Sequence, residues 1–163
     1  MSLSFVAMVP MRHSSERVPG KNYRMFGDRP LFHHIVGTLL EVPYVSKVII
    51  DTDSPTVAEQ CASLFPTVQV LDRPEHLLGG EVPMTSVLQY DASQAPSEWY
   101  LQTHSTNPLL KASTITRAIE ALESQLETRD SLMSVTRLQT RLYDADGKAM
   151  NHDPAVLLRT QDL

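Results

Sequence analysis

Apolar and polar positions along this chain fall into two alternating periods. Residues 3–10 (LSFVAMVP) form an apolar run of strand length closed by Pro10, the pattern of a strand covered on both faces. Residues 30–42 switch to helical spacing: Leu31, Ile35, Leu39 and Val42 share one stripe, and Pro30 stands where a first-turn proline is tolerated. Residues 46–51 (SKVIID) read as a second strand, and Ser54-Pro55 opens a helix over 54–65 as N-cap followed by proline at N1. A strand over 67–71, a helix over 83–92, a strand over 97–103, a helix over 112–126 and a strand over 131–136 continue the alternation.

Strands joined by helix-length crossovers run parallel, and right-handed crossovers place helices on both sheet faces. The pattern therefore predicts an α/β fold, a three-layer doubly wound and mostly parallel sheet. Ligands of such sheets collect beyond the carboxyl ends of the strands. Loops 10–29, 51–54, 72–83 and 103–112 all fall on that edge. From Arg137 the pattern changes. Residues 143–147 (YDADG) suit a hairpin turn and 151–154 a polar break. The segment 137–154 reads as an excursion from one domain spanning 1–163.

Composition narrows the function classes. The 163 residues carry a net charge of −5, without the overall basic field that non-specific nucleic-acid binding needs. The apolar runs fall far short of the roughly 20 residues that span a bilayer, and no charged leader precedes one. The expectation is a soluble cytoplasmic protein without membrane or nucleic-acid partners. One cysteine, Cys61, excludes an internal disulfide and a thiol-rich zinc site. Its place within an amphipathic segment suits a small buried hydrophobe.

Charge is concentrated in the first loop. Between Met11 and Arg29 lie Arg12, Arg17, Lys21, Arg24 and Arg29 against Glu16 and Asp28, so this stretch carries +3 and the remainder −8. Cations at the end of a first strand, with Ser14, Ser15 and Gly20 offering hydroxyls and open backbone, suit a polyphosphate. One opposite charge at about 4 Å contributes about 4 kcal/mol at an effective dielectric of about 20, before desolvation. A solvated basic loop is the alternative. The run 15–22 (SERVPGKN) is not a P-loop: Ser15 stands where the first glycine belongs, Asn22 replaces the metal-binding hydroxyl, and no helix follows directly.

The run 10–22 (PMRHSSERVPGKN), followed by 27–31 (GDRPL), resembles the signature loop of the acylneuraminate (CMP-sialic acid) cytidylyltransferases. The resemblance continues through 51–53 (DTD), 73–75 (RPE) with Leu77, and 106–109 (TNPL), covering essentially the whole chain. It implies the Rossmann-like fold of the nucleotide-diphospho-sugar transferases. It also implies transfer of CMP from CTP to the anomeric hydroxyl of a 2-keto sugar acid such as a nonulosonate, with Mg2+ and release of pyrophosphate. By that likeness Arg12 and Lys21 hold the phosphates and carry the catalysis, with Ser15 and Arg17 as further phosphate contacts. Asn22 and Arg73 lie against the nucleotide, His104 and Thr106 fix ribose or cytosine, and Thr85 touches the base. Arg159, in the run 157–161 (LLRTQ), receives the sugar carboxylate. A surface salt bridge is the other reading of Arg159.

The sequence departs from the family pattern at Glu16, where a lysine is usual, and at Leu110, where an arginine is usual. The family's later part, with its Asn-Gly-Tyr region and metal-holding acidic pair, has no counterpart, so a partial chain is expected. Asp53 is a metal-ligand candidate, as Asp51 is, but both also suit loop or helix capping ahead of residue 54. Adjacent His33 and His34 point apart on a helix and suit packing or solvent rather than one ion. The excursion 137–154 matches the family's dimer arm, which makes a homodimer the expectation. Two alternatives stand beside the enzyme: a non-catalytic CTP-binding or dimerisation module, and a sugar nucleotidyltransferase using another NTP.

Overall fold

The computed structural model describes residues 3–162. Its chain divides into two compact units, one ending at Asp130 and one beginning at Ser131. The first unit contains strand β1 (Phe5–Met8), a short hairpin of β2 (Met25–Phe26) and β3 (Arg29–Pro30), and helix α1 (Leu31–Leu40). Strand β4 (Val45–Thr52), helix α2 (Pro55–Leu64), β5 (Gln69–Asp72), α3 (Met84–Gln94), β6 (Trp99–Gln102) and α4 (Ala112–Glu123) follow.

The main sheet has the order β5-β4-β1-β6 with every pairing parallel. Period-two alternation along its strands separates two cores. Phe5, Ala7, Val48 and Ile50 join Phe32, Ile35 and Leu39 of α1, Val57 and Cys61 of α2, and Ile115 and Ile119 of α4. Val6, Met8, Ile49 and Leu71 face the other way, against Leu88 and Ala92 of α3. The expected three-layer, doubly wound α/β arrangement is the one observed. Each large aliphatic side chain taken fully out of water contributes about 1.5–3 kcal/mol, and Ile35, Leu39, Ile49 and Ile50 are all at 0 % exposure.

Helix α2 begins as its Ser-Pro signal predicts: Ser54 Oγ accepts the Val57 N–H at 3.3 Å, with Pro55 in the first turn. The β2–β3 hairpin lies where a plain loop is expected, and turns through Gly27 at φ 68°.

In the second unit, residues 131–136 do not form the expected strand. They are exposed and join no ladder among the described residues, their apolar side chains Leu132, Met133 and Val135 being covered by no core. The unit begins at Ser131, ahead of the expected change at 137. The turn at 143–147 does form: Tyr143 pairs antiparallel with Ala149. Asp144 Oδ1 accepts the N–H groups of Asp146 and Lys148 at 3.0 and 2.8 Å. Among the described residues, no helix is long and apolar enough to cross a membrane.

Candidate functional site

From β1 the chain passes to β4 and β5 on one side, then returns to place β6 on the other. The loops after β1 and β6 therefore part at the topological switch point, where open parallel sheets bind ligands. A cavity of about 270 Å³ occupies that crevice. Its walls come from three loops: Arg12, Ser15, Lys21 and Asn22 after β1, Arg73 after β5, and His104 and Thr106 after β6. Seven of the residues expected to meet a nucleotide thus share one cavity. Arg17 and Thr85 are exposed and do not line it. Thr85 sits in the first turn of α3, whose Met84 and Val87 do face the cavity.

The first loop is held at both ends. His13 donates its backbone N–H to Asp53 Oδ1 at 2.6 Å, and its ring Nδ1 lies 2.8 Å from Ser54 Oγ. The same ring stacks on Tyr23 at 5.4 Å between centroids. At the other end Asn22 is 4 % exposed. Its Nδ2 donates to the Arg12 carbonyl, and its Oδ1 accepts from Ser105 Oγ, both at 2.7 Å. Between these anchors Gly20 adopts φ 65° and its carbonyl accepts the N–H groups of Tyr23 and Arg24 at 3.1 and 2.9 Å. A Cβ at Gly20 would stand 2.8 Å from Tyr23 Cε2.

The electrostatics of the cavity are uneven. Among the described residues, Arg12 and Lys21 form no ion pair. Arg29 is occupied by Asp28 at 3.2 Å. Arg73 is buried and bound through Nε to Asp51 Oδ1, and its Nη2 donates to the Asp51 carbonyl at 3.2 Å. Arg73 is therefore a fixed wall of the cavity, and Arg12 and Lys21 are the cations open to an anionic ligand. Gly80, after β5, comes close to the first loop: a Cβ there would lie 3.4 Å from Glu16 Oε1 and 3.8 Å from Arg12 Nη1.

The acidic residues sit elsewhere than on the cavity wall. Asp53 tethers the first loop through His13 and does not line the cavity. Asp51 and Asp91 are both at 0 % exposure. Among the described residues no group of three or more His, Cys, Asp or Glu side chains is placed to hold a metal ion. Arg159 belongs to the second unit and pairs with Asp162 at 2.7 Å, both side chains being well exposed.

Sequence reasoning missed two participants. Ser105 gives no signal of its own, since its hydroxyl acts on Asn22 across 83 positions. Asp91 does: it falls four residues after Val87 on the inward stripe of α3, where a carboxylate is out of place. Burial and the neighbouring Asp51 carboxylate push its pKa up to about 8.

Known proteins with similar sequences and folds give a consistent picture. The chain is 26 % identical over 145 residues to a 3-deoxy-manno-octulosonate cytidylyltransferase of Marinobacter nauticus, covering 88 % of this chain and 51 % of that one. A CMP-N,N'-diacetyllegionaminic acid synthase of Legionella pneumophila matches at 32 % over 57 residues, 35 % of this chain and 25 % of its own. Among solved structures, CMP:2-keto-3-deoxy-manno-octonic acid synthetase complexed with CTP superposes with a TM-score of 0.65 at 19 % identity. That match covers 76 % of this chain and 48 % of the synthetase, a likeness of fold. The chain spans about half the length of the Marinobacter relative. With the family profile described as Cytidylyltransferase matching residues 6–162, nearly end to end, this chain belongs to the cytidylyltransferase family.

Proposed function

We propose that the cavity at the β1/β6 switch point binds CTP, and that the protein transfers CMP to the anomeric hydroxyl of a 2-keto sugar acid with release of pyrophosphate. The observation that carries this reading is the pair of cations, Arg12 and Lys21, on one cavity wall and in no ion pair among the described residues. In such a transfer the sugar oxygen bonds to the α-phosphorus as the bond to the β-phosphate bridging oxygen breaks. The hydroxyl proton leaves to solvent, and negative charge grows on the departing pyrophosphate. Fixed positive charge beside that group favours the transition state over the ground state. Arg12 and Lys21 take that role. Ser15 donates to a phosphate, and His104 and Thr106, across the crevice, meet the nucleoside.

The sugar is proposed to be an octulosonate or a nonulosonate. Octulosonate chemistry is named for the Marinobacter relative and a legionaminic acid for the Legionella one. The signature loop supports the nonulosonate side. Magnesium is proposed to arrive on the triphosphate. Arg159 is proposed to meet the sugar carboxylate after exchanging Asp162, and the excursion 137–154 to join two copies as a homodimer. Because the chain spans about half of its relatives' length, CTP binding without turnover is the second reading.

The test is CTP-dependent thermal stabilisation followed by pyrophosphate release with a panel of octulosonic and nonulosonic acids. CTP is expected to raise the Tm more than UTP, GTP or ATP. Arg12→Ala is expected to abolish that shift, a loss of about 1.5–3 kcal/mol for a charged hydrogen-bond partner. A folded protein indifferent to CTP at several millimolar overturns the nucleotide assignment. Binding of CTP without pyrophosphate release for any acid supports the second reading.

A further inference from the structure

Beneath the cavity wall lies a cluster that phosphate contacts alone do not require. Asp51, next to last in β4, lies on the sheet face that α3 covers, Arg73 leaves β5 beside it, and Asp91 descends from α3. The side chains of Arg73 and Asp51 are only 3 % and 0 % exposed. Asp51 Oδ1 takes the guanidinium, whereas Asp51 Oδ2 and both Asp91 oxygens are buried with no hydrogen-bond donor among the described residues. Two carboxylates and one arginine buried together leave one negative charge without a counter-ion, which a low-dielectric interior resists. A single proton between the facing carboxyl groups resolves both the excess charge and the missing donor.

We propose that Asp91 is a positioning residue for nucleotide binding: it carries a proton that it donates to Asp51 Oδ2, fixing Asp51 so that Arg73 is held as the rigid floor of the cavity. The inference rests on the CTP-binding reading above. The ionisable groups acting on Asp91 are Asp51 from β4 and Arg73 from the loop after β5. Tyr100 of β6, also packed against α3, directs its hydroxyl to the carbonyls of Ala92 and Ala95 at 3.4 and 3.3 Å. Burial and Asp51 raise the Asp91 pKa to about 8, so the proton is in place at neutral pH and leaves as pH rises through that value. Once it leaves, Asp91 competes with Asp51 for the guanidinium and the floor loses its single arrangement.

The experiment measures the Kd of CTP with Mg2+ for the full chain, Asp91→Asn and Asp91→Ala, between about pH 7 and about pH 9.5. Asparagine supplies a permanent donor to Asp51 Oδ2; alanine supplies none. The unaltered chain is expected to lose CTP affinity by up to about tenfold per pH unit above the Asp91 pKa. Asp91→Asn is expected to bind at neutral pH within about threefold of the unaltered chain and to lose that alkaline dependence. Asp91→Ala, checked for folding by circular dichroism, is expected to bind at least about tenfold more weakly throughout. The ratio of Kd values between the unaltered chain and Asp91→Asn cancels every other titration, that of the nucleotide included. A ratio constant across the range overturns the inference, as does Asp91→Ala binding as well as Asp91→Asn. Absence of CTP binding by the unaltered chain at neutral pH overturns the nucleotide reading and the inference with it, whereas binding with a constant ratio overturns the inference alone.

Discussion

Ser105 Oγ donates a 2.7 Å hydrogen bond to Asn22 Oδ1, joining the loop after β6 to the loop after β1 across the crevice. Asn22 also holds the Arg12 carbonyl, so one buried amide sets the separation of both walls and the backbone that carries Arg12. Replacing either partner leaves a buried polar group unpaired, which costs about 1–3 kcal/mol. Asn22→Ala is expected to lower stability by that amount in urea unfolding and to weaken CTP binding. Ser105→Ala is expected to do the same to a smaller degree, and Asn22→Ala/Ser105→Ala to cost less than the sum of the two, as partners do in a double-mutant cycle.

Gly20 is required by its left-handed backbone and by Tyr23 packed over it. Gly20→Ala forces a Cβ into the Tyr23 ring and adds about 1–2 kcal/mol of backbone strain. Chemical denaturation is expected to show at least that loss. Gly27→Ala, where φ is 68° but no atom lies within 4 Å, is expected to lose only the backbone part.

His33 is buried between Phe32 and Phe65 with its Nε2 2.8 Å from Gln60 Oε1. Burial holds its pKa below the ordinary 6.5. The unfolded chain therefore binds the proton first as pH falls, and stability that is complete above about pH 6.5 declines below it. Thermal unfolding across about pH 7.5 to about pH 5 is expected to show this slope, and His33→Gln is expected to flatten it.

Cys61 is fully buried on α2, and burial pushes its thiol up to about 11. Reaction requires the thiolate and access to it. Alkylation is expected to be negligible in native buffer and rapid in urea, with a rate that follows global unfolding. Fast labelling of the native protein would mean that α2 opens independently of the sheet.

The elements of the sheet and its helices are legible because each depends on a local pattern: β1 is an unbroken apolar run covered on both faces, and α1 and α4 carry one apolar stripe. The Arg12 to Lys21 cluster is legible as a steep local change of charge. The β2–β3 hairpin escapes notice because its strands have two residues each and its outward side chains, Met25 and Phe26, are exposed. Residues 131–136 mislead in the opposite sense, since Leu132, Met133 and Val135 carry strand-like apolarity and remain 50 %, 81 % and 78 % exposed. The pairing of Arg73 with Asp51, and of Asn22 with Ser105, depends on register between distant segments. No local pattern encodes it, and so the sequence sets Arg73 against the nucleotide without showing that its guanidinium is held by Asp51.

The two moorings of the first loop, His13 on Asp53 and Asn22 on Ser105, bracket a span in which no side chain from 14 to 19 joins a hydrogen bond or ion pair among the described residues. That span behaves as an exchangeable cassette. Substitutions within it, at Glu16 above all, are expected to retune which anion is welcomed while the posts at either end keep the sheet blind to the change.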